Sequence, residues 1–230
     1  MKITFRDTDY ECKVWTPADG SIGAFALDTE TTLIQHNEIP DFIIGTAFNG
    51  QKVFFLKIDR LPDFLRYNLA NRIFMANAPF DLLVLEKVCG LSPTEIIDRE
   101  LIIDVLLLSQ LVKIAESGES EFGNSLASVV KDLLKADLPK DVKDGDGTDV
   151  RLTFGRFVKA NGDIDYQNIP MAYLQYAGTD AIATYLAAQE LMNRLIQICR
   201  QHNSNEKLLL STSAQRWLII SRNCGDCQIW

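Results

Sequence analysis

The alternation of apolar and polar positions divides the chain into strands early and helices late. Residues 22–31 run apolar through Phe25-Ala26-Leu27 and end in Asp28 and Glu30. On a strand those two carboxylates share one face, because side chains alternate with period two. FIIGTAF (42–48) and KVFFLKI (52–58) predict two more strands. Asn49-Gly50 between them is a strong hairpin turn, so an antiparallel three-strand meander follows. LPDFLRYNL predicts a helix and RIFMAN (72–77) a fourth strand. Pro79 suits the first turn of a helix that carries FDLLVLEKV and stops at Gly90. A short strand near 101–103 precedes a helix through VLLLSQLVKI, and Asn124 or Ser125 caps another, LASVVKDLLKA. A long helical pattern runs from Pro170 to about 200, and a final amphipathic helix is expected from 208 to about 222. Paired strands followed by alternating strands and helices predict a mixed α/β sheet flanked by helices.

Residues 137–169 break this pattern, since DLPKDVKDGDGTD is charged and glycine-rich and predicts a loop or mobile insertion. The expected organisation is one domain over 1–203, followed by a helix and tail over 204–230. A length of 230 residues, 47% hydrophobic and 23% charged, supports one large domain. Charge is more selective: 23 basic against 31 acidic residues give −8. That argues against gripping a long duplex through a broad basic surface. It leaves room for a protein that takes a nucleic-acid end into a pocket where metal ions supply the positive charge. MKITFRDTDY has no signal-peptide core, and no apolar run spans a bilayer, so a cytoplasmic protein without a membrane partner is expected. Five scattered cysteines make no disulfide framework. Cys224 and Cys227 have the spacing of half a zinc site without a second half, and read as incidental thiols.

Carboxylates carry the candidate chemistry. Besides Asp28 and Glu30, Asp81 sits in the first turn of its predicted helix, with Asn77 just before it. Tyr176 and Asp180 are an i, i+4 pair on one helix face. Taken singly these are a solvated strand end, a residue favoured by the helix dipole, a turn or cap and a pair of surface neighbours. Gathered, four acids would repel one another unless hard divalent cations with oxygen ligands lay among them. Two ions ~4 Å apart are the usual device for displacing a phosphodiester oxygen, one activating a water and one stabilising the leaving oxygen. The Tyr176 hydroxyl, one turn before Asp180, is placed to aim that water.

In this order, FALDTETT, NAPFDLLVL and YAGTDAIATYLAAQEL resemble the three motifs of the DEDD (DnaQ-like) 3′–5′ exonucleases. The motif forms are D-x-E, N-x-x-[FY]-D and Y-x-x-x-D, the last marking the tyrosine (DEDDy) branch. SLASVVKDLL and YAGTDAIATYLAAQEL resemble most the proofreading domain of family A, polymerase I-like, DNA polymerases, and LLSTSAQRWLIISRNCGD resembles the helix that begins their polymerase portion. The resemblance implies a ribonuclease H-like fold, with a five-stranded mixed sheet whose first three strands are antiparallel. It implies Asp28, Glu30, Asp81 and Asp180 as ligands of two Mg²⁺ or Mn²⁺ ions, and Tyr176 as the residue that orients the water. Thr29, Leu33, Asn77 and Phe80 fall at substrate-binding positions, and Asp104 reads as a helix cap. Relatives carry Asp-Thr-Glu-Thr-x-Gly-Leu, whereas Thr32 here is followed by Leu33 and Ile34, either of which would serve as the wedge under a terminal base. The implied activity is release of nucleoside 5′-monophosphates from 3′ ends of single-stranded or frayed DNA, with a polymerase or replication protein as a partner. Trimming of RNA in the manner of ribonuclease D uses the same residues and is the near alternative. A non-catalytic nucleic-acid-binding module on this fold is the distant one.

Overall fold

The computed structural model describes residues 1–118, 125–139 and 141–203. The expected final helix, the tail with Cys224 and Cys227, and Asn124 lie outside the described residues. Among the described residues no helix is long and apolar enough to cross a membrane.

The three-strand meander is present as β3 (Phe25–Thr31), β4 (Phe42–Phe48) and β5 (Lys52–Leu56), each antiparallel to the next. Next come α1 (Leu61–Asn68), β6 (Ile73–Met75) and α2 (Ala78–Cys89), which ends at Gly90 in the left-handed region, φ 65°. A short helix α3 (Pro93–Asp98) follows, then β7 (Ile102–Asp104), with β6 and β7 extending the sheet in parallel from β3. Helices α4 (Val105–Ser117) and α5 (Leu126–Leu134), the latter capped by Ser125, lead to the long α6 (Met171–Gln201).

With an N-terminal β1 (Lys2–Phe5) and β2 (Thr8–Val14), the sheet has seven strands, not the expected five, in the order β1-β2-β5-β4-β3-β6-β7. These two extra strands form a hairpin whose second strand adds in parallel to β5. Its turn is Arg6-Asp7, both left-handed at φ 50° and 61°. That is the backbone of a type I′ turn built without the Asn or Gly that usually signals one. The hairpin closes against α6 at Gly178, where any Cβ would collide with Ile3. The short α3 was likewise not expected, since six residues carry too little periodicity to stand out.

Period two along β3 decides what faces what. Phe25 and Leu27 join the core under α1, α2 and α3, while Ala26 joins the core under α4, α5 and α6. Asp28 and Glu30 continue the Ala26 face and so point to the α6 side, at the end of the strand where apolar packing gives out. Residues 141–169 are irregular, as the sequence predicts, yet they are pinned to α6. Val150, Phe154 and Phe157 are buried, and the last two pack edge-on against Tyr173 at 5.0 and 4.9 Å between ring centres. The Tyr173 hydroxyl is 2.7 Å from Thr153 Oγ1 and donates to Asp144 at 3.2 Å, and Asp144 is paired with Arg156 at 2.7 Å.

Candidate active site

Each acid reaches the cleft by a different structural device. Asp28 and Glu30 come from the end of β3, where the ladder with β4 slips between Glu30 and Thr31. Strand β6 covers β3 only at Phe25 and Ala26, which leaves the Thr29 N–H without a strand partner on that edge. Asp81, in the first turn of α2, fills the gap: its Oδ1 accepts from Thr29 N at 3.0 Å and from Thr29 Oγ1 at 2.6 Å. The start of α2 is itself fixed by Asp104. That buried carboxylate accepts from Ala78 N at 2.8 Å with one oxygen, and from Leu106 N and Leu107 N at 2.8 and 3.2 Å with the other. Asp104 is thus the helix cap expected from sequence, for two helices at once. Asn77, just ahead of α2, is left-handed at φ 69°, a conformation Asn tolerates better than most residues. Tyr176 and Asp180 project from one face of α6, one turn apart.

One carboxylate oxygen from each of Asp28, Glu30 and Asp180 lies within 4.8 Å of the others. Asp81 stands outside this trio but against Asp28, whose charge acts on it. Asp28 is therefore the common member, felt as a repelling neighbour by Glu30, Asp81 and Asp180. The ordinary energetic cost of such a cluster is visible in its protonation. Burial pushes the Asp28 carboxyl up to about 6. Burial, then the neighbouring acids, hold Glu30, Asp81 and Asp180 well above the usual carboxylate range. A hydrogen bond from Tyr176 draws Asp180 partly back down, and the Tyr176 hydroxyl is itself raised by burial and by Asp180, so it stays a donor. Hard oxygen donors of this kind, with no thiolate or imidazole among them, suit Mg²⁺ or Mn²⁺. Asp28, Glu30 and Asp180 would hold one ion, and Asp28 with Asp81 a second. A bound ion of this kind lowers the pKa of a water ligand and offsets charge on phosphate oxygens.

All nine residues picked out from sequence line a single cleft of about 790 Å³, within the ~300–1,000 Å³ of small-ligand sites. Thr29 is among them, with its hydroxyl donating to Asp81. Leu33 and Ile34 both reach the cleft and are both exposed, at 59% and 46%. Sequence reasoning passed over Arg151 and Leu152, which line the cleft together with Leu138 and Pro139. Arg151 draws the carboxyls of Glu30 and Asp180 downward. Nothing in the local pattern marks either residue, because only the fold of 141–169 against α6 brings them to the site.

The model of the 3′–5′ exonuclease family matches residues 5–196, and the chain belongs to that family of hydrolases. Its acids and Tyr176 are those of the DEDD type, tyrosine branch. The fold is similar to Escherichia coli RNase D, with TM-score 0.58 and 18% identity over 87% of this chain and 45% of that one. Trypanosoma brucei RNase D gives 0.58 and 16%, over 90% and 68%, and Brucella melitensis NrnC 0.58 and 15%, over 96% and 97%. The chain thus spans under half the length of the E. coli enzyme. No curated protein matches it in sequence.

Proposed function

We propose that the protein hydrolyses phosphodiester bonds stepwise from the 3′ ends of single-stranded or frayed DNA, releasing nucleoside 5′-monophosphates with a pair of Mg²⁺ or Mn²⁺ ions. The observation that carries this reading is the convergence of Asp28, Glu30 and Asp180 to within 4.8 Å, with Asp81 held beside Asp28 by Thr29. Three distant parts of the chain meet there, and without cations their mutual repulsion would serve no purpose. Tyr176, protonated and one turn from Asp180, orients the attacking water. Leu33 or Ile34 slides under the terminal base, where an exposed aliphatic side chain in a cleft gains most from stacking contact. A net charge of −8 agrees with recognition of an end in a cleft rather than of a long backbone.

RNA is the second reading, favoured by the likeness to E. coli RNase D, which is an exoribonuclease involved in structured RNA processing. Matched DNA and RNA oligonucleotides, labelled at the 5′ end and incubated with Mn²⁺, separate the two. The expected result is a ladder shortening from the 3′ end, faster on DNA and stopped by EDTA. Preference for RNA by about tenfold or more would transfer the assignment to RNA, since a contact to the 2′-hydroxyl must show as such a preference. Cleavage indifferent to chelator would end the two-metal reading.

A further inference from the structure

We propose that Arg151 is a catalytic residue of this site, its guanidinium engaging a non-bridging oxygen of the scissile phosphate. The inference rests on the exonuclease reading above and adds to it a group that none of the three motifs contains.

The first ground is position. The walls of the cleft carry Asp28, Glu30, Asp81 and Asp180, and Arg151 is the one Lys or Arg among its described lining residues. Its field falls on Glu30, Tyr176 and Asp180, the side of the site where the attacking water belongs. The second ground is availability. Among the described residues the Arg151 side chain has no ion pair, whereas Arg156 nearby is committed to Asp144 and Asp146. Arg151 is exposed and lines the same cleft as the four acids.

The third ground is the way it is held. Arg151 N donates to Asp149 Oδ1 at 3.1 Å, and Val150 before it is fully buried. Two residues on, Thr153 bonds Tyr173 on α6, the helix that also carries Tyr176 and Asp180. Gly155 then packs beside Thr32, the residue just after the strand bearing Glu30, where an added Cβ would lie in ordinary contact at 3.5 Å from the Thr32 methyl. The backbone around Arg151 is therefore packed against α6 and the end of β3, two of the three elements that supply the acids.

Charge balance gives this arrangement a task. Four carboxylates against two divalent cations leave the site neutral before substrate enters. The scissile phosphodiester brings one negative charge. As water attacks phosphorus and the bond to the leaving 3′ oxygen breaks, negative charge builds on the non-bridging oxygens. A planar guanidinium, with paired donors that match two phosphate oxygens, meets that charge better than an ammonium does.

The test compares wild type, Arg151→Ala and Arg151→Lys on a 5′-labelled oligothymidylate with saturating Mn²⁺. Wild-type cleavage checks the exonuclease reading by itself, so that failure is told apart from failure of this inference. Arg151→Ala is expected to lower kcat by about 10²-fold, the usual effect of removing one donor to a developing oxyanion, with a smaller change in KM. Arg151→Lys should recover part of the loss. Added guanidinium ion should raise the rate of Arg151→Ala and leave wild type unchanged, which a merely structural role would not produce. Unchanged thermal melting is expected for both variants, because the side chain is exposed. A kcat for Arg151→Ala within about threefold of wild type, a change confined to KM, or no response to guanidinium would each overturn the assignment.

Discussion

Replacing Asp28 by Asn should make the metal-free protein more stable at pH 8 while destroying its activity. The Asp28 carboxyl, ordinarily near 3.8, is held up to about 6 by burial at the floor of the cleft. A folded-state value above the unfolded one means no penalty below about pH 3.8, where both states are protonated, and a full penalty above about pH 6. Ionising that carboxyl in the fold at pH 8 costs about 3 kcal/mol, taken as an upper figure because its neighbours share the strain. The amide carries no charge, fills nearly the same volume and keeps an oxygen that can accept from Glu30. For a chain of this size, 1–3 kcal/mol corresponds to a rise of roughly 3–10 °C in melting temperature. Thermal unfolding in EDTA at pH 8 and at pH 3.5 reads this directly: a rise at the higher pH, almost none at the lower. Saturating Mn²⁺ should then reverse the order, stabilising wild type far more than the variant, since binding to the folded state alone adds to stability. If Asp28→Asn melts at or below wild type in EDTA at pH 8, the acids are not crowded in the way described, and the reasoning fails.

Two further outcomes follow from the same geometry. Tyr176→Phe should lower kcat by about 10²-fold or less while leaving Mn²⁺ binding by calorimetry intact, as expected of a group that orients water without ligating an ion. Asp104→Ala should destabilise by about 2–4 kcal/mol in urea unfolding, because the N–H groups of Ala78, Leu106 and Leu107 lose their buried acceptor together; a change below about 0.5 kcal/mol would refute that capping role.

The convergence of the acids was legible because its parts lie on elements with strong periods. Asp28 and Glu30 end a strand that alternates cleanly, and Tyr176 and Asp180 sit one turn apart in a helix of 31 residues. The meander was legible from Asn49-Gly50, whose Asn49 Oδ1 accepts from Gln51 N and Lys52 N in the turn. The N-terminal hairpin was not, because Arg6 and Asp7 adopt left-handed backbone without being the residues that announce it. What joins it to the domain is the Ile3–Gly178 contact, 175 residues apart in sequence, which no local window contains. Arg151 escaped for the same reason. Its surroundings, DLPKDVKDGDGTD, read as a charged, glycine-rich loop or mobile insertion, and only the burial of Val150 and Phe154 packs that segment against the domain. Thr29 lines the cleft as expected of a residue near substrate, and its hydroxyl also fastens Asp81 to the strand, a role that sequence did not mark.

The central claim is that acids from β3, α2 and α6 hold two divalent ions. Anomalous scattering from a crystal soaked with Mn²⁺ and a nucleoside 5′-monophosphate tests it most directly. Two peaks ~4 Å apart are expected, one among Asp28, Glu30 and Asp180 and one between Asp28 and Asp81, with the phosphate bridging them. Manganese bound elsewhere, or no peak touching Asp28, would contradict the account.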